Sequence, residues 1–65
     1  MRFMRISEVI ETTGLGRSSI YKLMASGDFP KPVSLGARAV AWVSGEINEW
    51  MTARIDERDF HKNDG

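Results

Sequence analysis

Cysteine is absent from this chain, and histidine occurs once, at His61. Without thiols there is neither a disulfide framework nor a thiolate metal site, and a lone histidine cannot hold zinc. Net charge is lacking too: nine basic and nine acidic side chains cancel, which gives no overall support for nucleic-acid binding, where a basic domain is usual. No apolar run approaches the roughly 20 residues of a transmembrane helix, and the N-terminus lacks the basic-then-apolar layout of a signal peptide. A cytoplasmic protein with no membrane association is expected. No acid–base pair, nucleophile–base set or metal cluster can be assembled, so no catalytic residue, metal or cofactor is expected and the chain does not read as an enzyme.

What is present is enough for one small domain. Sixty-five residues bury only a modest fraction of their surface, and two tryptophans, three phenylalanines and four methionines must supply the core. The charges are unevenly placed. Up to Gly45 the bases are Arg2, Arg5, Arg17, Lys22, Lys31 and Arg38, against Glu8, Glu11 and Asp28; from Glu46 onward three bases face six acids. The N-terminal two-thirds therefore carries an excess of positive charge and the last third an excess of negative charge, a dipolar layout in which the first part can sit on DNA.

The stretch Thr13–Met24 organises the rest. Gly14 and Gly16 bracket Leu15, which makes a tight corner with an apolar plug. Ile20, Leu23 and Met24 then fall on one face of a helix at i, i+3, i+4, ending at Ser26-Gly27. The other face carries Arg17, Ser18, Ser19, Tyr21 and Lys22, rich in donors and free of acids. Gly16 stands at the N-cap and brings no side-chain acceptor, so Ser18 or Ser19 must satisfy the first-turn amides or leave them free for an anion.

Before this stretch, Met1 to Arg5 reads as a short extended arm. Ser7 is the expected N-cap of a first helix, with Ile6 stapled outside it and Val9 and Ile10 facing the core. After it, Pro30 and Pro32 force an extended connector around Lys31. Val33–Leu35 and Val40–Val43 flank a glycine-led turn with Arg38 at the tip, a β-hairpin whose Val33, Leu35, Val40 and Trp42 are expected to lie on the helices. Ser44 is the expected N-cap of a last helix with Ile47, Trp50, Met51 and Ile55 on one stripe, fading by about Asp59. Phe60 is the last apolar anchor before a flexible polar tail at 61–65; positions 1–60 form the domain.

This order of helix, turn, helix, proline connector, hairpin and helix resembles the winged helix-turn-helix of the MerR-like superfamily. More closely, the segments Ile6–Val9, Thr13–Met24, Gly27–Val33, Leu35-Gly36, Arg38–Trp42 and Ile47–Trp50 resemble the AlpA family of prophage regulators and its excisionase-like relatives. The combination of R-S-x-I-Y-K with F-P-x-P-V and A-V-x-W is specific, whereas each piece alone is weak. The resemblance implies a mainly α fold of three helices plus a two-stranded wing. It also implies a transcriptional regulator of a prophage or genomic island that promotes integrase expression or element excision. Members often carry serine or threonine where this chain has Gly16.

Double-stranded DNA is the partner so implied. Arg17, at the helix start, is the candidate for the major groove; Ser18 and Ser19 for base edges or phosphate; Tyr21 and Lys22 for phosphate. Tyr21 has a second reading as a half-buried rim residue. Lys31 is a candidate phosphate contact, and Arg38 a candidate for an adjacent minor groove or its phosphates. So small a domain makes few contacts, so self-association on DNA is expected. The alternatives are a recombination directionality factor acting at attachment sites, and an interaction module whose acidic last helix docks integrase.

Overall fold

The computed structural model describes residues 1–62, with side chains through Phe60. The elements run β1 (Phe3–Met4), α1 (Ile6–Thr13), α2 (Arg17–Ala25), β2 (Val33–Gly36), β3 (Ala39–Val43) and α3 (Ser44–Lys62). Three helices and a wing are present as expected, in a winged helix-turn-helix, but the sheet has three strands in the order β1-β3-β2. The N-terminal arm supplies the extra one: Phe3 pairs with Val43 and Met4 with Trp42, antiparallel.

That pairing also moves the start of α1. The chain stays extended through Arg5 (φ −79°, ψ 167°), which holds the N-cap position without a side-chain cap. Its carbonyl accepts the N–H groups of Glu8 and Val9, both at 3.0 Å. Ser7, expected as the cap, lies inside the helix, and Ile6 opens the helix instead of stapling from outside it. The shift has a packing cause, since a helix begun at Ile6 places Ile6, Val9 and Ile10 on one stripe, with Val9 buried and the other two packed against the core.

Gly14 ends α1 in the left-handed conformation, φ 78°, and its N–H reaches the Ile10 carbonyl at 2.9 Å. The Thr13 hydroxyl donates to the Val9 carbonyl at 2.8 Å and accepts from Leu15 N–H at 3.3 Å, which fixes the corner and sends Leu15 inward. The far end of α2 closes with two reciprocal bonds, Asp28 N–H to the Leu23 carbonyl (2.8 Å) and Gly27 N–H to the Met24 carbonyl (3.1 Å). This is the Schellman arrangement, and it needs the positive φ of Gly27, 80°.

The core draws one buried side chain from each part of the chain: Met4 of β1, Val9 of α1, Ile20 of α2, Phe29 of the connector, Trp42 of β3 and Ile47 of α3. Complete burial of a side chain of this kind stabilises by about 1.5–3 kcal/mol, so every element except β2, all of whose residues are exposed, is held by a share of this cluster. The wing departs from expectation. Only Trp42 of its four named apolar residues is buried; Val33, Leu35 and Val40 are exposed. Paired residues on neighbouring strands share a face, so Val33 lies with Ala41, opposite Trp42, while Val40 shares the Trp42 face but sits nearer the tip, past the core.

Ser44, expected as a cap, is the first residue of α3, and its Oγ accepts the Arg2 N–H at 3.2 Å while its own N–H donates to the Arg2 carbonyl at 2.8 Å. The serine thus ties the helix start to the N-terminal strand. Ile47 is buried and Trp50 and Met51 pack on the core, but every residue from 52 to 60 is exposed, Ile55 included. Phe60 is 69% exposed and lies outside the core cluster. The helix continues past Asp59 to Lys62, and the expected tail at 61–65, with the side chain of His61, lies outside the described side chains. Nineteen helical residues span about 28 Å, which accounts for a long axis of 48 Å against 24 and 19 Å across.

Candidate nucleic-acid interface

Ile20 fixes the rotation of α2. With Ile20 buried and Leu23 and Met24 packed beside it, Arg17, Ser18, Ser19, Tyr21 and Lys22 must all point outward, and all are exposed. Tyr21 is 46% exposed, so about half of its surface is open on this face of the helix. A shallow groove of about 390 Å³ runs along this side of the helix, lined by Ser19, Lys22, Leu23 and Ser26. Leu23 and Ser26 did not stand out in the sequence as part of this surface. Leu23 read as core, and the helix phase that half-buries it also leaves its edge in the groove.

The start of α2 is open. Gly16 holds the N-cap position (φ −78°, ψ 163°) with no side-chain cap, and neither Ser18 nor Ser19 turns back to supply one. The first-turn amides therefore remain available, and they add the partial positive charge of the helix end to Arg17 beside them. A serine or threonine at position 16 would occupy one of those amides.

The cations divide sharply by location. Arg2 pairs with Glu8, whose hydrogen bond and charge raise its pKa further above the ordinary value. Arg54 pairs with Glu57 and lies 5.5 Å from the Trp50 ring centroid, and Arg58 pairs with Asp59 at 2.9 Å. Among the described residues Arg5, Arg17, Lys22, Lys31 and Arg38 have no acidic partner within 4.0 Å. All of these lie on the helix-turn-helix and wing portion, and each is exposed.

Lys31 is held by a clamp that the sequence did not announce. The indole N–H of Trp42 donates to the Pro30 carbonyl at 2.9 Å, and that of Trp50 to the Asp28 carbonyl at 2.6 Å. Between them Phe29 packs edge-on to Trp50, centroids 4.8 Å apart. Tryptophans far apart in sequence thus grip the residues just before Lys31, so its backbone is fixed while its side chain is free. At the other end of the wing Arg38 occupies the turn with φ 67°, the only non-glycine residue with positive φ among those described.

Among the described residues no group of three or more His, Asp or Glu side chains is placed to hold a metal ion, and no helix is long and apolar enough to cross a membrane. What the arrangement offers is an exposed polar helix face, an uncapped helix start and unpaired cations on one portion of the molecule. That chemistry receives a polyanion.

Comparison with known proteins agrees in kind. An uncharacterised protein, ORF88, of Enterobacteria phage P4 is 49% identical over 57 residues, covering 88% of this chain and 65% of the phage protein, so the chain spans somewhat less than two-thirds of that relative. A protein of Escherichia coli strain K12 described as the DNA-binding transcriptional activator AlpA is 35% identical over 60 residues, covering 83% of this chain and 86% of that protein. The profile of the family described as prophage CP4-57 regulatory protein (AlpA) matches residues 2–55, nearly the whole folded body. The chain belongs to the AlpA family of prophage regulatory proteins.

Proposed function

We propose that this protein is a sequence-specific DNA-binding transcriptional regulator that lays the exposed face of α2 in the major groove and sets the wing against the flanking backbone or minor groove. The observation that carries this reading is the concentration of unpaired, exposed cations on α2, the connector and the wing, beside an uncapped helix start. The similarity to a DNA-binding transcriptional activator supports it. Arg17 is assigned to base edges, because recognition helices present their N-terminal residues to the groove floor. Ser18 and Ser19 reach base edges or phosphate, and Tyr21, Lys22 and Lys31 contact phosphate. Arg38 enters the minor groove or holds its phosphates.

The regulated element is a prophage or genomic island, and the outcome is integrase expression or excision of the element. Footprinting across the integrase promoter and the attachment site separates the two, since an activator protects the former and a directionality factor the latter. Reversal of charge at Arg17→Glu and Lys22→Glu should abolish operator binding while far-ultraviolet circular dichroism stays unchanged. Retained binding by that double variant would defeat the assignment of α2.

A second reading is favoured by one feature, the run from 52 to 60 in which every residue of α3 is exposed, including Ile55. An exposed helix of this kind suits a protein contact, with integrase or with a second copy of this chain on adjacent DNA sites. Sedimentation with and without DNA tests the latter, and strictly one-to-one binding on a long duplex would rule it out.

A further inference from the structure

The connector between α2 and β2 belongs to no helix or strand, yet three of its residues in a row are held by aromatic side chains. Asp28 offers its carbonyl to the Trp50 indole N–H at 2.6 Å, Phe29 is buried edge-on to the Trp50 ring, and Pro30 offers its carbonyl to the Trp42 indole N–H at 2.9 Å. Lys31 follows, exposed, between two prolines, and Val33 then enters the sheet opposite Ala41. Each proline fixes one backbone angle, so the point from which the Lys31 side chain starts depends on how residues 28–30 are anchored.

The two indole bonds differ in what they do. Trp42 is fully buried, and loss of its N–H would strip the partner from a carbonyl in part-buried surroundings, so that bond serves folding. The Trp50 bond lies open to water, with Asp28 exposed and Trp50 half-buried. Water can satisfy both groups when the bond is absent, so its contribution to net stability is small. Its acceptor, however, belongs to the residue whose own N–H closes α2 on the Leu23 carbonyl at 2.8 Å. Asp28 is thus tied by its N–H to α2 and by its carbonyl to α3, and its carboxylate accepts the Ser26 hydroxyl at 2.9 Å. A bond of small net stability at the joint between two helices acts by selecting one conformation of that joint.

We infer that Trp50 is a positioning residue for DNA binding: its indole N–H, donated from α3 to the Asp28 carbonyl, presets the connector so that Lys31 meets a phosphate without further ordering. This rests on the DNA-binding reading above, in which Lys31 contacts phosphate. It gives a part in the interface to α3, which carries none of the cations assigned to DNA. A lysine on a segment that must be ordered at the moment of binding loses part of its contact energy to that ordering, and a preset one keeps it.

The test uses the full chain and a short fluorescein-labelled duplex of mixed sequence, followed by anisotropy at constant low salt, because a phosphate contact is made on any sequence. Trp50→Phe keeps a ring against Phe29 and removes the N–H. It should weaken binding by about fivefold, the size of one ordinary hydrogen bond, with a far-ultraviolet circular dichroism spectrum like the parent's. Lys31→Gln should weaken binding as well. In that background Trp50→Phe should lower affinity by less than about twofold more, whereas in a Lys22→Gln background its effect should remain about fivefold. A purely structural role would lower affinity by the same factor in every background. If Trp50→Phe unfolds the chain, replacement of Trp50 by benzothienylalanine in a chemically synthesised chain, where sulfur stands for the N–H on a ring of nearly the same shape, gives the same reading.

Two results would overturn the inference while leaving DNA binding by α2 intact: parental affinity in Trp50→Phe, or an undiminished effect of Trp50→Phe in the Lys31→Gln background, in each case with binding still lost on Arg17→Glu and Lys22→Glu. Parental affinity in Lys31→Gln would remove the phosphate contact assigned to that residue, and this inference with it. Failure of the unmodified chain to bind any duplex would remove the DNA reading and this inference together.

Discussion

Arg38 holds a conformation in which its own Cβ is in the way. A left-handed residue other than glycine is disfavoured by about 1–2 kcal/mol, and this one sits at φ 67° at the tip of a short hairpin. Strain of this kind persists where the side chain is needed. Arg38→Gly removes the clash but adds roughly 0.5–1 kcal/mol of unfolded-state entropy, so the net gain in stability should be between about 0 and 1.5 kcal/mol, or a rise of up to several degrees in Tm for a domain of this size. Arg38→Ala keeps the strain and should melt close to the parent. Both should bind DNA more weakly, because both lose the guanidinium. Thermal melts of the two variants beside anisotropy titrations separate the roles, and a lower Tm for Arg38→Gly would show that the tip is not strained as argued.

Among the elements, α2 was the most legible in the sequence, because two glycines, an apolar i, i+3, i+4 stripe and a second glycine stop each give a local signal, and the exposed face follows from where Ile20 points. Three other features had no such signal. A strand of two residues carries no period, so Phe3-Met4 could not be told from a loose arm. Alternation in the wing told which residues share a face but not how far the core reaches along it, which is why Val33, Leu35 and Val40 are exposed where only Trp42 is buried. The start of α1 was set by packing of Ile6 against the core and not by the capping chemistry of Ser7. The cap of α2 is the converse case, in which chemistry is absent and its absence is testable. Nothing lies within 4 Å of a Cβ built at Gly16, and its φ of −78° suits any residue. Gly16→Ser and Gly16→Asp should therefore each stabilise α2 by a few tenths of a kcal/mol, with Asp gaining roughly 0.3–1 kcal/mol more from the helix dipole. Their effects on DNA should differ. Serine, which takes only one of the first-turn amides, should lower affinity slightly, whereas the carboxylate should also repel phosphate from the amides that remain and weaken binding by at least tenfold. Equal affinity for the two variants would mean that no phosphate approaches that helix end.

Across the whole molecule net charge is zero, yet the cations are not equivalent. Two on α3 are spent on neighbouring acids, Arg54 on Glu57 and Arg58 on Asp59, while Arg17, Lys22, Lys31 and Arg38 have no acidic partner among the described residues. A bound polyanion releases counterions only for the charges that neutralise it, so the salt dependence of binding counts the cations in the interface and ignores the rest. Replacing Lys22 or Lys31 by glutamine should each lower the slope of log affinity against log salt by about one and weaken binding on every sequence alike. Replacing Arg54 or Arg58 by glutamine should leave slope and affinity as they are, although the same formal charge is removed. Stability gives an independent check on the α3 pairs, because exposed ion pairs contribute only about 0–1 kcal/mol, and those two variants should melt within a few degrees of the parent. If instead the slope fell equally for all four substitutions, binding would depend on total charge and not on the face that α2, the connector and the wing present, and the dipolar orientation on DNA would be wrong.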